Sequence, residues 1–320
     1  MAIINIHPGA LAAQVTLGGG FGFVGTGYIP AEEIQAEIEV ARRILGLNPQ
    51  SQLPIGVGFL CWRLERDEEQ GKRELNVALN NHVAAVWLSF SERLPKWIQL
   101  VRDHDAANEK KTLIFVQVPS VEDALVAIHD WKVDVIVAQG IEAGGHGYNS
   151  APPLKSLIQS ILSNTPDNGP VIIGGGGLAT GQHVAGLLGL GAAGAVLGTR
   201  FLLTPESLYS NTQKQALAAA QSSASVRSMA FDQARGTLGW PIGVDGRGLC
   251  NATVADYENG EDILVLRSKF QEAGRDDMSR AIVWAGTGVG KMKDVKPAKE
   301  VVQELHQEYL AYWKSNTIQV

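Results

Sequence analysis

Cysteine is nearly absent from this chain of 320 residues, which carries only Cys61 and Cys250. The two lie far apart and match no metal-ligand spacing, so a disulfide framework is excluded and a reducing compartment is expected. A surplus of positive charge is missing as well: 27 Lys and Arg face 33 Asp and Glu, for a net charge of −6. That balance gives no electrostatic reason to expect nucleic acid as a partner. No apolar run reaches the roughly 18 residues of a membrane span. The opening "MAIINIHPGA" lacks the charged and apolar regions of a signal peptide, and the closing "NTIQV" matches no targeting signal. A soluble cytoplasmic protein is expected, with neither membrane nor nucleic-acid partner and no metal site. What the chain has instead is glycine, 36 of them, within a composition that is 45% apolar. That suffices to bury a substantial core in one large α/β domain or two smaller ones.

Short apolar runs recur in a regular beat, each followed by glycine or polar residues: "FGFVG" (21–25), "IGVGFL" (55–60), "VAAVWLSF" (83–90), "LIFVQV" (113–118), "VDVIVAQ" (133–139), "PVIIGGG" (170–176) and "GAVLGT" (194–199). Most are apolar at consecutive positions, as parallel strands covered on both faces should be. Helical stretches lie between them. In "AEEIQAEIEVARRIL" (31–45), Ile34, Ile38, Ala41 and Leu45 share one face behind Pro30 and two early glutamates. "VEDALVAIHDW" (121–131) and "TGQHVAGLLGL" (180–190) read the same way. Alternating strand and helix predicts a parallel sheet of βαβ units. "AIINI" (2–6) is the candidate for an eighth strand. Eight strands close a (β/α)8 TIM barrel, and seven leave an open doubly wound sheet. With no long polar linker dividing the chain, the barrel is favoured, its first strand short or missing. Residues 1–205 are expected to form the barrel core. Residues 206–320 lose the strand beat, carry loops such as "RGTLGWPIGVDGRG" (235–248) and end in a helix near 298–314. They are expected to be helices and loops packed over the barrel mouth, the last barrel helix included.

Three glycine-rich motifs ask for a decision. "GFGFVG" (20–25) matches G-x-G-x-x-G, but its strand lies inside the motif and "TGYIP" follows where a helix should open. Tight packing explains these glycines better than a dinucleotide. "AGTGVGKM" (285–292) resembles a phosphate-binding P-loop yet has Ala285 at the first glycine and Met292 at the Mg²⁺-binding hydroxyl, and it follows a helical segment; a nucleotide triphosphate site is rejected. "PVIIGGGGLATGQHVAGLLGLGAAGAVLGTRF" (170–201) is different, running strand, glycine turn, helix, strand, Gly-Thr. Glycines 174–177 leave backbone N–H groups uncovered, Thr180 or Gly181 can begin a helix facing the same point, and Gly198 and Thr199 close the next strand. Two such turns on adjacent strands predict a phosphate pocket.

Just past the run "VDVIVAQ", the segment "GIEAGGHG" (140–147) sets His146 among glycines. Small residues allow close approach, and an imidazole titrates near neutrality. A ligand site with an acid–base group is one reading; a loop histidine bonded to a backbone carbonyl is the other. Glu142 is expected to hold the loop through backbone hydrogen bonds, and the remaining histidines to lie at the surface.

"AQGIEAGGHG" (138–147), "GGGGLATG" (174–181) and "LGTRF" (197–201) resemble the nitronate monooxygenase family, formerly called 2-nitropropane dioxygenases, and the similarity extends over nearly the whole chain. The resemblance implies an FMN-dependent (β/α)8 barrel that oxidises alkyl nitronates with O2 to carbonyl compounds and nitrite. It implies FMN phosphate on Gly175, Gly176, Gly177, Gly198 and Thr199, flavin contacts from Gln139 and Gly144, and His146 as the catalytic histidine. Gln117, which ends "LIFVQV", joins the cofactor-binding set. Trp240 and Trp284 are expected either to wall the pocket or to sit in the core of the added helices. The chain departs from the family at its start, where an Ala-Pro-Met turn after a first strand is the norm. It departs also at Gly58, where an asparagine is common, and at "GGGGL", where "AAGGI" is common. Two other functions compete: an FMN-dependent NAD(P)H enoyl reductase or related flavin oxidoreductase on the same barrel, and a flavin-binding protein without efficient turnover.

Overall fold

The computed structural model describes residues 9–317. Among these residues ten strands occur: β1 (Phe23–Gly25), β2 (Leu53–Leu60), β3 (Val83–Ser89), β4 (Leu113–Val118), β5 (Val135–Gln139), β6 (Gly145–Tyr148), β7 (Val171–Gly175), β8 (Gly194–Val196), β9 (Ser225–Ser228) and β10 (Val244–Leu249). Seven of them form one parallel sheet in the order β1-β2-β3-β4-β5-β7-β8. This is the architecture of a (β/α)8 barrel with one side open: among the described residues β1 and β8 are edge strands that do not pair with each other. The candidate strand "AIINI" lies outside the described residues.

Each parallel strand arises where the sequence runs apolar without alternation. β2 buries every residue but Pro54, and β3 buries every residue but Ala84, because helices cover one face and the barrel interior the other. The outer core lies between sheet and helices, where Ile34, Ile38, Leu75, Trp97 and Ile158 are shielded from solvent. A smaller inner core of Phe23, Trp87, Phe115, Val135 and Val137 fills the barrel. Beside the open side an apolar cavity is lined by Phe21, Phe115, Val171, Val196 and Leu188, and all three residues of β8 are only half-buried. Helix Ala31–Leu45 spans the expected residues and stops at Gly46, whose φ of 66° is the left-handed conformation that ends helices. Helix Gly181–Gly189 begins behind Thr180, whose side chain accepts from the His183 N–H.

The C-terminal part corrects one expectation. It holds helices, including the twenty-residue Ala298–Thr317 that packs against Gly181–Gly189, but it also supplies two strands. β9 and β10 join β6 in a three-stranded antiparallel sheet, order β6-β10-β9, with His146 opposite Gly246 and Gly246 opposite Ser228. The segment 235–248, expected to be a loop, therefore contains most of a strand. The glycines of "VDGRGL" hide it in the sequence, and the structure gives them a use. A Cβ on Gly246 would stand 2.5 Å from the Trp284 ring, and one on Gly248 would stand 2.9 Å from the Val283 carbonyl oxygen. Only residues 140–144 separate β5 from β6, so this second sheet stands at the C-terminal end of the barrel strands, where (β/α)8 enzymes place their sites.

Candidate active site

One cleft at that end is lined by Gln117, Gln139, Gly144, Gly175, Gly176, Gly177, Gly198 and Thr199 together. All eight cofactor candidates thus meet in one place. Val137, Trp87 and Leu178 provide apolar walls, and Gly286, Gly288 and Met292 complete the lining. The turn after β7 is shaped by Gly176 (φ 144°) and Gly177 (φ 67°), positions that an L side chain occupies only with strain. The N–H groups of Gly176, Gly177 and Gly198 find no acceptor among the described residues. Unsatisfied N–H groups of this kind, gathered at two neighbouring turns, form a cradle for an anion such as a phosphate. The Thr199 hydroxyl accepts from the Gly286 N–H at 2.9 Å and so ties the turn after β8 to the segment at 286–292. Helix Gly181–Gly189 opens four residues after Gly177. Its Gly181 N–H donates to Glu308 at 2.5 Å, which spends that end of the helix on the C-terminal helix.

The floor of the cleft is a hydrogen-bonded chain. Gln117 donates to the Gln139 side-chain oxygen at 2.9 Å, and Gln139 donates to the His146 carbonyl at 3.1 Å. Gly144 has no room for a side chain, because a Cβ there would run into the Gly286 nitrogen. Glu142 acts as expected, accepting from the Leu154 N–H at 3.0 Å, while its own carbonyl accepts from the Thr287 N–H at 3.0 Å.

His146 stands beside this chain rather than on the cleft wall, on β6 and only 3% exposed. Its Nε2 lies 3.0 and 2.8 Å from the two carboxylate oxygens of the fully buried Asp232. Thr237 donates its hydroxyl to Asp232 Oδ1 at 2.7 Å. The imidazole stacks on Trp240, with ring centres 3.7 Å apart and planes 9° apart, and Trp284 lies 5.0 Å away on a tilt. His146 Nδ1 is buried and has no partner among the described residues. Burial holds the imidazole below its ordinary pKa, the Asp232 bond and charge push the other way, and Arg235 and Arg227 add to the depression. Trp240 and Trp284 therefore both reach the histidine, while Trp284 also packs on Phe231 in the C-terminal core.

Sequence reasoning missed Asp232, Thr237, Gly286, Gly288 and Met292. Asp232 lies 86 residues from His146 and in no motif, so no local signal could pair them. The glycines of "AGTGVGKM" are visible in the sequence, but the motif they suggest is a P-loop rather than a cleft wall. The segment before them is irregular, bridged to Gly248 through Trp284, rather than helical. His183 is also not a plain surface residue: half-buried, it accepts from the Ala179 N–H at 3.1 Å.

Among the described residues no helix is long and apolar enough to cross a membrane. Two solved structures share the fold over 98% of this chain: FabK from Thermotoga maritima (TM-score 0.78, 20% identity, 93% of that chain) and nitroalkane oxidase from Streptomyces ansochromogenes (TM-score 0.77, 24% identity, 94% of that chain). The nitronate monooxygenase of Neurospora crassa is 34% identical over 95% of this chain and 86% of its own length. Nitronate monooxygenase npaC of Metarhizium robertsii is 32% identical over 93% of this chain and 86% of its own. The family model for nitronate monooxygenases matches residues 1–308. With fold, cleft and sequence in agreement, the chain belongs to the nitronate monooxygenase family, whose members are flavin-dependent oxidoreductases.

Proposed function

We propose that this protein uses FMN and O2 to oxidise alkyl nitronates to carbonyl compounds and nitrite, and that His146 extends the reaction to neutral nitroalkanes. The observation that carries the reading is the juxtaposition of an open anion cradle with a buried His–Asp pair across the Gln139 side chain. The N–H groups of Gly176, Gly177 and Gly198 would hold the FMN phosphate, with Gly175 and Thr199 shaping the turns. Gln117, Gln139 and Gly144 would lie along the isoalloxazine ring. These residues fit the cofactor: the donors are free, the walls are apolar, and the glycines leave the backbone bare. When bound, FMN supplies the electron acceptor and the route to O2.

The protein's own part is binding, orientation and proton transfer. The cleft walls keep water from the substrate, and the Gln117–Gln139 chain fixes the floor. A neutral nitroalkane has to lose a carbon-bound proton before it becomes a nitronate. A neutral imidazole is the group able to take that proton near neutral pH, and burial keeps His146 neutral there. A nitronate supplied as the anion needs no such step.

The test is an absorption spectrum of the purified protein before and after anaerobic addition of an alkyl nitronate. A flavin spectrum that changes on addition supports the reading. A bound flavin that ignores nitronate and bleaches with NAD(P)H assigns the site to a reductase. Failure to retain FMN even after its addition assigns the chain to flavin-free or weakly binding behaviour.

A further inference from the structure

The His146 imidazole has two nitrogens in different surroundings. Nε2 faces both oxygens of Asp232, and Nδ1 has no partner among the described residues. An ionised carboxylate only accepts hydrogen bonds, so Nε2 must carry the proton and Nδ1 the lone pair. The ring has little freedom to exchange these roles by flipping, because Trp240 lies flat against it and Trp284 packs near it on a tilt, its ring centre 5.0 Å away. Asp232 is itself fixed. It sits on helix Ala230–Arg235, directly after β9, and β9 and β6 pair with the same strand β10. Thr237 gives its oxygen Oδ1 a second donor. No lysine or arginine is paired with this carboxylate among the described residues; its only charged partner would be His146 after protonation.

We propose that Asp232 is the positioning residue of this site: it fixes the Nε2-protonated tautomer of His146 and so leaves Nδ1 as the atom that takes the proton from a neutral nitroalkane. This rests on His146 being the proton acceptor. In the step, the substrate C–H bond breaks, its electron pair delocalises into the nitro group, and an N–H bond forms at Nδ1. No oxidant is consumed, and the resulting imidazolium lies against the Asp232 carboxylate, which turns a buried single charge into a neutral ion pair. The same logic of a buried carboxylate that sets a histidine's tautomer operates in hydrolytic triads. The charged groups around the ring are Asp232 and Arg235 on one helix and Arg227 on β9, whose guanidinium is paired with Asp245 of β10 at 2.5 Å.

Nitrogen-15 NMR of histidine-labelled, flavin-loaded protein reads the tautomer directly, with His146→Asn identifying the resonance. A protonated Nε2 and a bare Nδ1 at pH 7 are expected; a protonated Nδ1 overturns the proposal whatever the kinetics. Asp232→Asn keeps a carbonyl acceptor in place and removes the charge. Its kcat/KM for a neutral nitroalkane should fall ~100-fold, in the range of general-base effects. The acid limb of that profile should move to lower pH, because the group that raises the histidine pKa is gone. Turnover of preformed nitronate should fall by a smaller factor than turnover of the neutral nitroalkane. Equal losses on both substrates with an unmoved acid limb mean that Asp232 merely supports the fold, and the proposal is then wrong. Thr237→Val, a milder change, should show a smaller loss with the same preference for the neutral substrate. If His146→Asn leaves neutral nitroalkane turnover intact, the histidine's own role fails, and the NMR result still decides separately whether Asp232 sets the ring.

Discussion

The cradle after β7 makes a demanding prediction through Gly177. Replacing it with alanine puts a Cβ at φ 67°, in left-handed space, and 2.8 Å from Thr287 Oγ1 and 3.0 Å from Glu142 Cβ. The left-handed conformation costs an alanine about 1–2 kcal/mol. The Thr287 hydroxyl can rotate away. The Glu142 stem cannot shift easily, because its carboxylate is bound to the Leu154 N–H. Overpacking of that kind adds about 1–3 kcal/mol. The chain can relieve the total, roughly 2–5 kcal/mol, only by moving the turn, which takes the Gly177 N–H away from the phosphate position. If half of it appears in binding, FMN affinity falls by about 5-fold to 60-fold, since each 1.4 kcal/mol is tenfold. Fluorescence titration of apoprotein with FMN measures the ratio. Gly186→Ala is the control: an added Cβ on this exposed helical glycine would meet nothing within 4 Å, and the residue does not line the cleft. It should leave FMN affinity unchanged and raise stability by about 0.5–1 kcal/mol. Wild-type FMN affinity in Gly177→Ala would refute the idea that these bare N–H groups hold the cofactor.

Other expectations follow from the same geometry. His146→Asn should keep FMN while turnover of neutral nitroalkanes drops by ~100-fold or more, with preformed nitronate affected less; steady-state kinetics on both substrates checks this. Since His146 is held below the 6.5 of an unperturbed imidazole, the unfolded chain takes up the proton first. Its contribution to stability is therefore present above about pH 6.5 and lost as pH falls below it, so denaturation midpoints should drop on acidification more steeply in wild type than in His146→Asn. An identical slope in the two proteins would remove the histidine from that account. Cys61 is fully buried, and burial pushes its thiol pKa up, whereas Cys250 is exposed. A thiol reagent should thus titrate one cysteine in the native protein and two after denaturation.

Most of the barrel could be read from the chain because strands buried on both faces leave an unbroken apolar signature, as in "LIFVQV", and because helices such as 31–45 carry a clear apolar stripe. That these glycines meet at one cleft was legible for a related reason: bare turns after neighbouring parallel strands lie at the same end of the sheet. The second sheet was not. "GHGY" and "VDGRGL" have neither apolar alternation nor β-branched density, and the glycines of the latter exist to admit Trp284 and Phe231, a fact of packing that no local pattern encodes. Asp232 escaped for a different reason. Its importance lies wholly in a contact across 86 residues, and a lone aspartate followed by a glutamine has the look of a solvated helix turn.

That separation has a consequence for how the protein is made. The seven parallel strands are complete once residue 196 has been synthesised, but the other strands of the sheet that carries His146 come only at 225–228 and 244–249, and the last residues lining the cleft only at 286–292. At a synthesis rate of about 5–20 residues per second, the histidine precedes its carboxylate by about 4–17 s. Until then His146 lacks the carboxylate it is bonded to in the finished protein. The polypeptide from residue 225 onward is what completes the surroundings of His146 and the cleft lining, so errors that truncate it should affect the site before they affect the seven parallel strands.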